Sequence, residues 1–145
     1  MSYTVAEQED IVEHARLRGV RIVLELDLPG HSDVWAFGAP PGAFLDCRIS
    51  SGDAQSAVLD VTSDAAYGFL EQLLTEIFSR FPDKIFHLGG DEVNSACWKR
   101  SATVQTWLKA HPEVTLDELY PRYIVKVHQM LAAKFNRSGT TSRGR

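Results

Sequence analysis

Two adjacent carboxylates, Asp91 and Glu92, are the residues of this sequence best suited to chemistry. They follow a glycine pair at the end of an apolar stretch, and the whole run reads HLGGDEV at residues 87–93. Glycines let a chain turn sharply and let a ligand approach the backbone closely. Two neighbouring carboxyl groups suit a reaction that needs a proton donor and a stabiliser of positive charge. Hydrolysis of a glycosidic bond is the leading reaction of that kind.

A second polar cluster follows an earlier apolar run. Residues 20–26 are almost continuously apolar, a pattern typical of a strand buried on both faces. A second strand is predicted at residues 84–88. In open α/β sheets and (β/α) barrels the carboxyl ends of the strands carry the chemistry. The sequence therefore predicts one site that contains Asp27, His31, His87, Asp91 and Glu92.

The same residues also allow a structural interpretation. Adjacent residues of a strand point to opposite faces, so the two acids reach one pocket only where the strand has ended. In a plain strand-to-helix turn, Asp91 or Glu92 would cap the next helix. A lone His31 or His87 is more often a structural hydrogen-bonding residue, and Asp27 could bind loop amides. The convergence of all five at strand ends favours function.

Three tryptophans offer a further link to carbohydrates, because indole rings stack on sugars. Tryptophans at this density are more often core residues. They are Trp35, Trp98 and Trp107.

Helical patterns alternate with the two strands. They are predicted at about residues 4–18, 63–81, 104–110 and 115–135, and capping boxes open the first and the last of them. Residues 32–62 are rich in Gly, Pro, Ser and Asp and are predicted to form a long loop without a clear element. Strands that alternate with helices indicate an α/β fold with parallel strands. Since two parallel strands do not make a stable domain, the chain is interpreted as a piece of a larger fold.

Composition limits the class of protein. The chain has 145 residues, of which 44% are hydrophobic and 23% charged, which is typical of a soluble globular domain. A net charge of -4 without a basic run before the tail argues against nucleic acid as the main partner. No apolar run is long enough for a transmembrane segment. No signal peptide is visible, so the protein is expected to be cytosolic or to lack its true N-terminus.

The two cysteines, Cys47 and Cys97, leave two interpretations open. Composition alone favours a pair of buried free thiols. A disulfide between them would indicate an oxidising compartment. Their spacing fits no zinc site.

These motifs together resemble a known family. The run at residues 87–93, with Cys97 and Trp98 just beyond it, resembles the catalytic segment of the family 20 glycoside hydrolases, the β-N-acetylhexosaminidases. Residues 15–22, which lead into DLPGH at residues 27–31, resemble the βα unit that precedes that segment. The turn at residues 81–83 is similar to the family as well.

The resemblance covers about residues 3–136. It implies a partial family 20 catalytic domain at residues 1–136 and a disordered tail at residues 137–145, where a fifth strand is expected but no strand pattern is found. The implied fold is α/β, a fragment of a TIM (β/α)8 barrel that holds about strands 3 and 4 with their helices. Cys47 and Cys97 match positions that form a disulfide in lysosomal members, which favours the disulfide if the protein is lysosomal or secreted.

The implied mechanism is substrate-assisted: the 2-acetamido oxygen of the substrate attacks the anomeric carbon. Glu92 would be the proton donor and then the base, a role that requires burial or a nearby carboxylate. Asp91 would stay ionised, orient the acetamido group and stabilise developing positive charge. His31 would hydrogen-bond the acid/base residue, and His87 and Asp27 would have weaker supporting roles. No metal and no cofactor are implied.

By this resemblance the protein is an exo-acting β-N-acetylhexosaminidase of glycan catabolism. It would release terminal GlcNAc or GalNAc from a β-linked glycan or glycoconjugate. The full-length form could be a dimer. Two alternatives stay open. The chain could be a truncated, catalytically incompetent member that binds only a partner or a sugar, or a different barrel hydrolase that uses the acid pair on another substrate.

Overall fold

The computed structural model describes residues 3–48 and 57–141. A short 3₁₀ turn, Leu116–Glu118, precedes the last helix. In these ranges the helices are α1 (Val5–Arg16), α2 (Asp33–Ala36), α3 (Asp64–Arg80), α4 (Ser95–Arg100), α5 (Ala102–Ala110) and α6 (Leu119–Phe135). The strands are β1 (Phe44–Asp46), β2 (Ala57–Leu59), β3 (Ile85–His87) and β4 (Ser138–Thr140).

Three parallel extended segments form the centre of the fold. Residues 24–28 lie along one edge of β3, where the Leu26 amide donates to the His87 carbonyl at 3.0 Å and the His87 amide donates to the Leu24 carbonyl at 2.9 Å. β4 lies along the other edge of β3 and pairs with it in parallel, with Phe86 opposite Gly139. Both predicted strands therefore lie side by side and run in the same direction, as the alternation with helices predicted.

The first predicted strand is confirmed only in its second half. The prediction that residues 20–26 are buried on both faces is wrong for this chain, because Val20 and Val23 are 56% and 42% exposed. Within the described residues this segment has a hydrogen-bonded neighbour on one edge only, and the side chains of its first half are exposed or only half-buried. Its last residue, Leu26, is buried in the core.

The prediction that residues 137–145 contain no strand is also wrong. Asn136 adopts the left-handed conformation (φ 50°) that ends α6, and the chain then returns along β3, where the Ser138 amide donates to the Lys84 carbonyl at 2.9 Å. β4 pairs through its backbone, which needs no apolar side chain. Position 139 has no room for a side chain, because a Cβ there would come within 3.0 Å of Leu131 and Leu88. Residues 142–145 of the predicted disordered tail lie outside the described residues.

The long loop predicted at residues 32–62 contains regular elements. It holds α2 and the antiparallel pair β1 and β2, in which Phe44 lies opposite Leu59. The pair is stable here because β2 is fully buried and because the Phe44 ring packs edge-on against Phe69 at 5.2 Å. The Asp33 carboxylate also accepts a hydrogen bond from the Ala57 amide at 2.8 Å. Residues 49–56 of the loop lie outside the described residues.

The predicted helices are confirmed with small shifts at their ends. Thr4 and Glu7 form the capping box of α1, and Thr115 and Glu118 form the one that opens the 3₁₀ turn before α6. The core lies between α3, α6 and β3. Its largest buried side chains there are Leu70, Leu74, Phe86, Tyr123, Val127 and Leu131. Over the described ranges, no helix combines the length and the apolar character needed to cross a membrane.

Candidate active site

The acid pair lies in the turn that follows β3. Gly89 and Gly90 both have positive φ, 60° and 89°, so the strand ends before the acids and both carboxylates leave the strand pattern. Asp91 and Glu92 are exposed. The helix-capping alternative does not hold, because the residue at the N-cap of α4 is Asn94.

The glycines are required by the residues that surround them. The Asp27 Oδ1 atom accepts a hydrogen bond from the Gly90 amide at 2.7 Å, and a Cβ on Gly89 would overlap the Asp27 side chain and backbone. A Cβ on Gly30 would come within 2.9 Å of the Glu92 carbonyl oxygen. The two strand-end loops are therefore in direct contact, which is what brings the polar groups of both together.

His31 reaches Glu92 across this contact. Its Nε2 atom lies 3.1 Å from Glu92 Oε2 and 3.7 Å from Asp27 Oδ2. Its backbone has a positive φ of 41°, and the buried Ser32 hydroxyl, which donates within the same turn to the carbonyls of Pro29 (2.8 Å) and Gly30 (2.7 Å), supports this turn. The predicted grouping of Glu92, His31 and Asp27 is thus present in the structure.

His87 has a different environment. Its Nδ1 atom accepts from the Gly89 amide at 3.2 Å and also lies 2.9 Å from Glu25 Oε2. One ring nitrogen cannot donate and accept at once, so these two contacts belong to different protonation states of the ring. His87 therefore contacts the backbone of the glycine turn, one step away from the acids.

The side chain of Glu92 is more exposed to solvent than the role of proton donor requires. Its side chain is 71% exposed, so the burial expected for this role is not provided by the described residues. The carboxylates of Asp27 and Asp91 are its acidic neighbours in the two loops. The described residues thus form an exposed cluster rather than a closed pocket.

A disulfide fixes the helix that follows the acids. Cys47 and Cys97 are bonded, with their Cα atoms 5.2 Å apart, so the alternative of two free thiols is wrong. The Arg100 guanidinium donates to the Cys47 carbonyl at 3.3 Å. On the same helix the buried Trp98 donates through Nε1 to the Leu59 carbonyl at 3.0 Å. α4 is thereby attached to both strands of the β1–β2 pair.

Tyr120 is a residue of the site that the sequence did not indicate. It lies in the first turn of α6, and its hydroxyl is so close to Gly90 that a Cβ there would overlap it. Burial, together with the negative charges of Asp27 and Asp91, raises the pKa of Tyr120. Its position was a usable signal, because a helix that follows a parallel strand begins at the carboxyl edge of the sheet.

The tryptophans follow the core interpretation. Trp98 is buried, Trp107 stacks on His111 with ring centroids 3.9 Å apart, and Trp35 packs edge-on against Phe69 at 6.4 Å. In the part of the chain that the structure describes, no group of three His, Cys, Asp or Glu side chains could hold a metal ion.

Comparison with known proteins identifies one family. Residues 1–140 match the family model described as glycosyl hydrolase family 20, catalytic domain. Beta-hexosaminidase 1 of Arabidopsis thaliana is 35% identical over 133 residues, which are 91% of this chain and 23% of that protein. Beta-hexosaminidase subunit alpha of Mus musculus is 38% identical over 123 residues, 84% of this chain and 23% of that protein. The chain thus spans 23% of the length of these two curated relatives.

Solved structures share the fold of this chain. A crystal structure of a beta-N-acetylhexosaminidase superposes with a TM-score of 0.80 at 23% identity and covers 97% of this chain and 31% of that one. The chitobiase of Flavobacterium johnsoniae superposes with a TM-score of 0.76 at 29% identity and covers 96% of this chain and 21% of that one. The helices and strands of this chain therefore have the overall arrangement found in these structures.

Proposed function

Because the chain belongs to the glycosyl hydrolase family 20 catalytic domains, we propose that it carries the acid pair of a β-N-acetylhexosaminidase. The reaction is hydrolysis of terminal, non-reducing N-acetylhexosamine residues from β-linked glycans or glycoconjugates. The observation that carries the proposal is the contact of Glu92 with His31, beside Asp91, at the carboxyl end of parallel strands. We infer that the chain is part of a longer protein.

Glu92 is the proton donor to the glycosidic oxygen and afterwards the base that activates water. The hydrogen bond from His31 holds the Glu92 carboxyl group in one orientation, and Asp27 Oδ2 lies 3.7 Å from the same Nε2 atom. The remaining walls of the cleft, supplied by the rest of the protein, provide the desolvation that the exposed Glu92 lacks in this chain.

Asp91 orients the acetamido group of the substrate. An ionised Asp91 accepts the amide N–H and stabilises positive charge as the acetamido oxygen attacks the anomeric carbon. In this substrate-assisted route no protein carboxylate forms a covalent bond to the sugar, and the configuration of the anomeric carbon is retained. Two acids in one tight turn are sufficient for both tasks.

We further propose that residues 24–28 and β3 are the third and fourth strands of the (β/α)8 barrel and that β4 begins the fifth. The parallel order of the three segments supports this assignment. The disulfide supports a lysosomal or secreted location, because disulfides persist in oxidising compartments. A dimer of the longer protein stays a prediction.

The acid pair provides the test of this proposal. Glu92→Gln in the longer protein should lower kcat for an N-acetylglucosaminide by roughly 10²- to 10⁴-fold, the usual contribution of general acid–base catalysis. The loss should be smaller for an aryl glycoside whose leaving group needs no proton. Glu113→Gln, at an exposed position away from the cleft, is the matched control and should change nothing.

Asp91→Asn separates the substrate-assisted route from other mechanisms. It should reduce turnover of the 2-acetamido substrate far more than turnover of the corresponding plain glucoside. An equal loss on both substrates would exclude the substrate-assisted mechanism and favour a different barrel hydrolase. Full activity of Glu92→Gln on substrates with poor and good leaving groups alike would remove Glu92 from the acid role.

A further inference from the structure

The Tyr120 hydroxyl is a buried donor at the rim of the proposed site. Its oxygen is shielded from solvent and has no hydrogen-bond partner among residues 3–48 and 57–141. The hydroxyl lies directly against Gly90, the residue before Asp91. A buried hydroxyl without a partner costs free energy, so such a group in a folded protein calls for an explanation.

Asp91 is the complementary acceptor. Its side chain is exposed beside Glu92 in the sequence, and its carboxylate makes no hydrogen bond or ion pair within the described ranges. After burial, the negative charge of Asp27 and then that of Asp91 raise the pKa of Tyr120. Of the two, Asp27 already accepts from the Gly90 amide at 2.7 Å and contacts His31, whereas Asp91 does not have such a donor.

We propose that Tyr120 is a positioning residue for the reaction, with its ring packed on Gly90 and its hydroxyl donating a hydrogen bond to the Asp91 carboxylate once that exposed side chain turns from solvent toward it. This proposal rests on the proposed function. One carboxylate oxygen then accepts from the tyrosine, and the other is left for the acetamido N–H of the substrate. The bond fixes the direction of the carboxylate, because a hydrogen bond to a charged acceptor is short and strong.

Tyr123 provides a matched control on the same helix. It lies three residues further along α6, and within the described residues its buried hydroxyl also lacks a partner. Unlike Tyr120, however, it is wholly inside the core, where burial raises its pKa. Removing the Tyr123 hydroxyl deletes an unpaired polar atom, and removing the Tyr120 hydroxyl deletes one hydrogen bond to an exposed carboxylate, so neither substitution should prevent folding.

The experiment compares Tyr120→Phe with Tyr123→Phe in the longer protein. Tyr120→Phe keeps the ring on Gly90, so KM should stay within about two-fold, while kcat for an N-acetylglucosaminide falls about ten-fold or more. Tyr123→Phe should keep the wild-type kcat. Both variants should keep a single cooperative unfolding transition. Equal losses of kcat in both variants, or none in Tyr120→Phe, would overturn the proposal.

A second measurement does not depend on turnover. Carbon-13 NMR of labelled aspartate, assigned with Asp91→Asn, records the chemical shift of the Asp91 carboxyl carbon at one fixed pH. Loss of a hydrogen bond to this carboxylate should move the signal in Tyr120→Phe and leave it in place in Tyr123→Phe. A signal that does not move in Tyr120→Phe overturns the hydrogen bond. If the wild type fails to hydrolyse any 2-acetamido substrate, the proposed function fails, and this signal then decides only whether the hydrogen bond exists.

Discussion

At the scale of single residues, the site depends on a close approach that only glycine permits. Gly89 has a φ of 60°, and Asp27 fills the space that a side chain on Gly89 would occupy. Asp27 in turn binds the amide of Gly90 and lies beside His31. The position of His31, and through it that of Glu92, therefore depends on a missing Cβ.

Gly89→Ala should damage both the fold and the site. The left-handed backbone alone costs an alanine about 1 kcal/mol, and the overlap with Asp27 adds to that cost, so we expect a loss of about 2–4 kcal/mol in the free energy of unfolding. Because Asp27 must move, kcat should fall as well. Chemical denaturation and steady-state kinetics measure the two effects.

Gly19→Ala is the matched control for that substitution. Gly19 has a similar φ of 67°, but no atom outside its chain neighbours lies within 4 Å of a Cβ built there. It should lose only the backbone contribution of about 1 kcal/mol and keep its kcat. The overlap argument fails if the two alanine variants lose the same free energy.

The same scale shows what the sequence could predict about the site. Asp27, His31 and Glu92 were predicted together because the carboxyl ends of parallel strands meet at one edge, and they are in contact. That rule gives a position along the chain but not the direction of a side chain. The contacts of His87 with Glu25 and of Tyr120 with Gly90 depend on side-chain direction. The start of the last helix could be placed at this edge from the sequence, but not the direction of its tyrosine ring.

At the scale of elements, helices were predicted well and short strands were not. Helices α1, α3 and α6 have several turns of apolar periodicity and capping residues, so local sequence determines them. β1, β2 and β4 have three residues each, too few for a periodic signal. Their pairing depends on partners distant in sequence, which is why residues 32–62 were wrongly predicted to lack regular elements.

The disulfide is one of the contacts that hold α4 beside the acid pair. Cys47 and Cys97 are 50 residues apart in sequence, so their bond closes a long loop in the unfolded chain. In the chain-entropy account a loop of this length contributes about 4 kcal/mol to stability. Trp98 and Arg100 hold the same helix by hydrogen bonds, so α4 should stay docked in the native state without the bond.

The double substitution Cys47→Ala and Cys97→Ala should therefore lower the free energy of unfolding by about 2–4 kcal/mol, while kcat of the folded protein falls much less than in Glu92→Gln. Guanidinium denaturation of the oxidised wild type, the reduced wild type and the double variant gives the comparison. The reduced wild type and the double variant should have the same free energy of unfolding. A loss of kcat as large as that of Glu92→Gln would mean that the bond itself determines the geometry of the acids.

At the scale of the whole molecule, several large apolar side chains of α1 and of the segment that follows it are exposed. They are Val5, Ile11, Leu17, Val20 and Val23. An apolar surface of this kind marks an interface. In a closed barrel, the preceding strand and helix would cover it.

Substituting Val20 and Val23 by serine tests this interpretation, because the effect should have opposite signs in two contexts. In the isolated 145-residue chain the exposed valines should drive self-association and a broad thermal transition, and the serines should reduce both. In the longer protein the same valines should be buried against a neighbouring strand, so the double variant should unfold with a free energy lower by about 2 kcal/mol or more. Light scattering and denaturant unfolding measure the two effects.

Val125→Ser is the control, because Val125 is exposed on the outer face of α6 and should be neutral in both contexts. Serine and valine have similar helix propensity, so the control changes little besides apolar surface.

The isolated chain should also show no turnover of an N-acetylglucosaminide, since it supplies only one wall of the cleft. If serine at Val20 and Val23 left the stability of the longer protein unchanged, no strand would cover this edge, and the assignment of residues 24–28 to an inner strand of a closed barrel would be wrong.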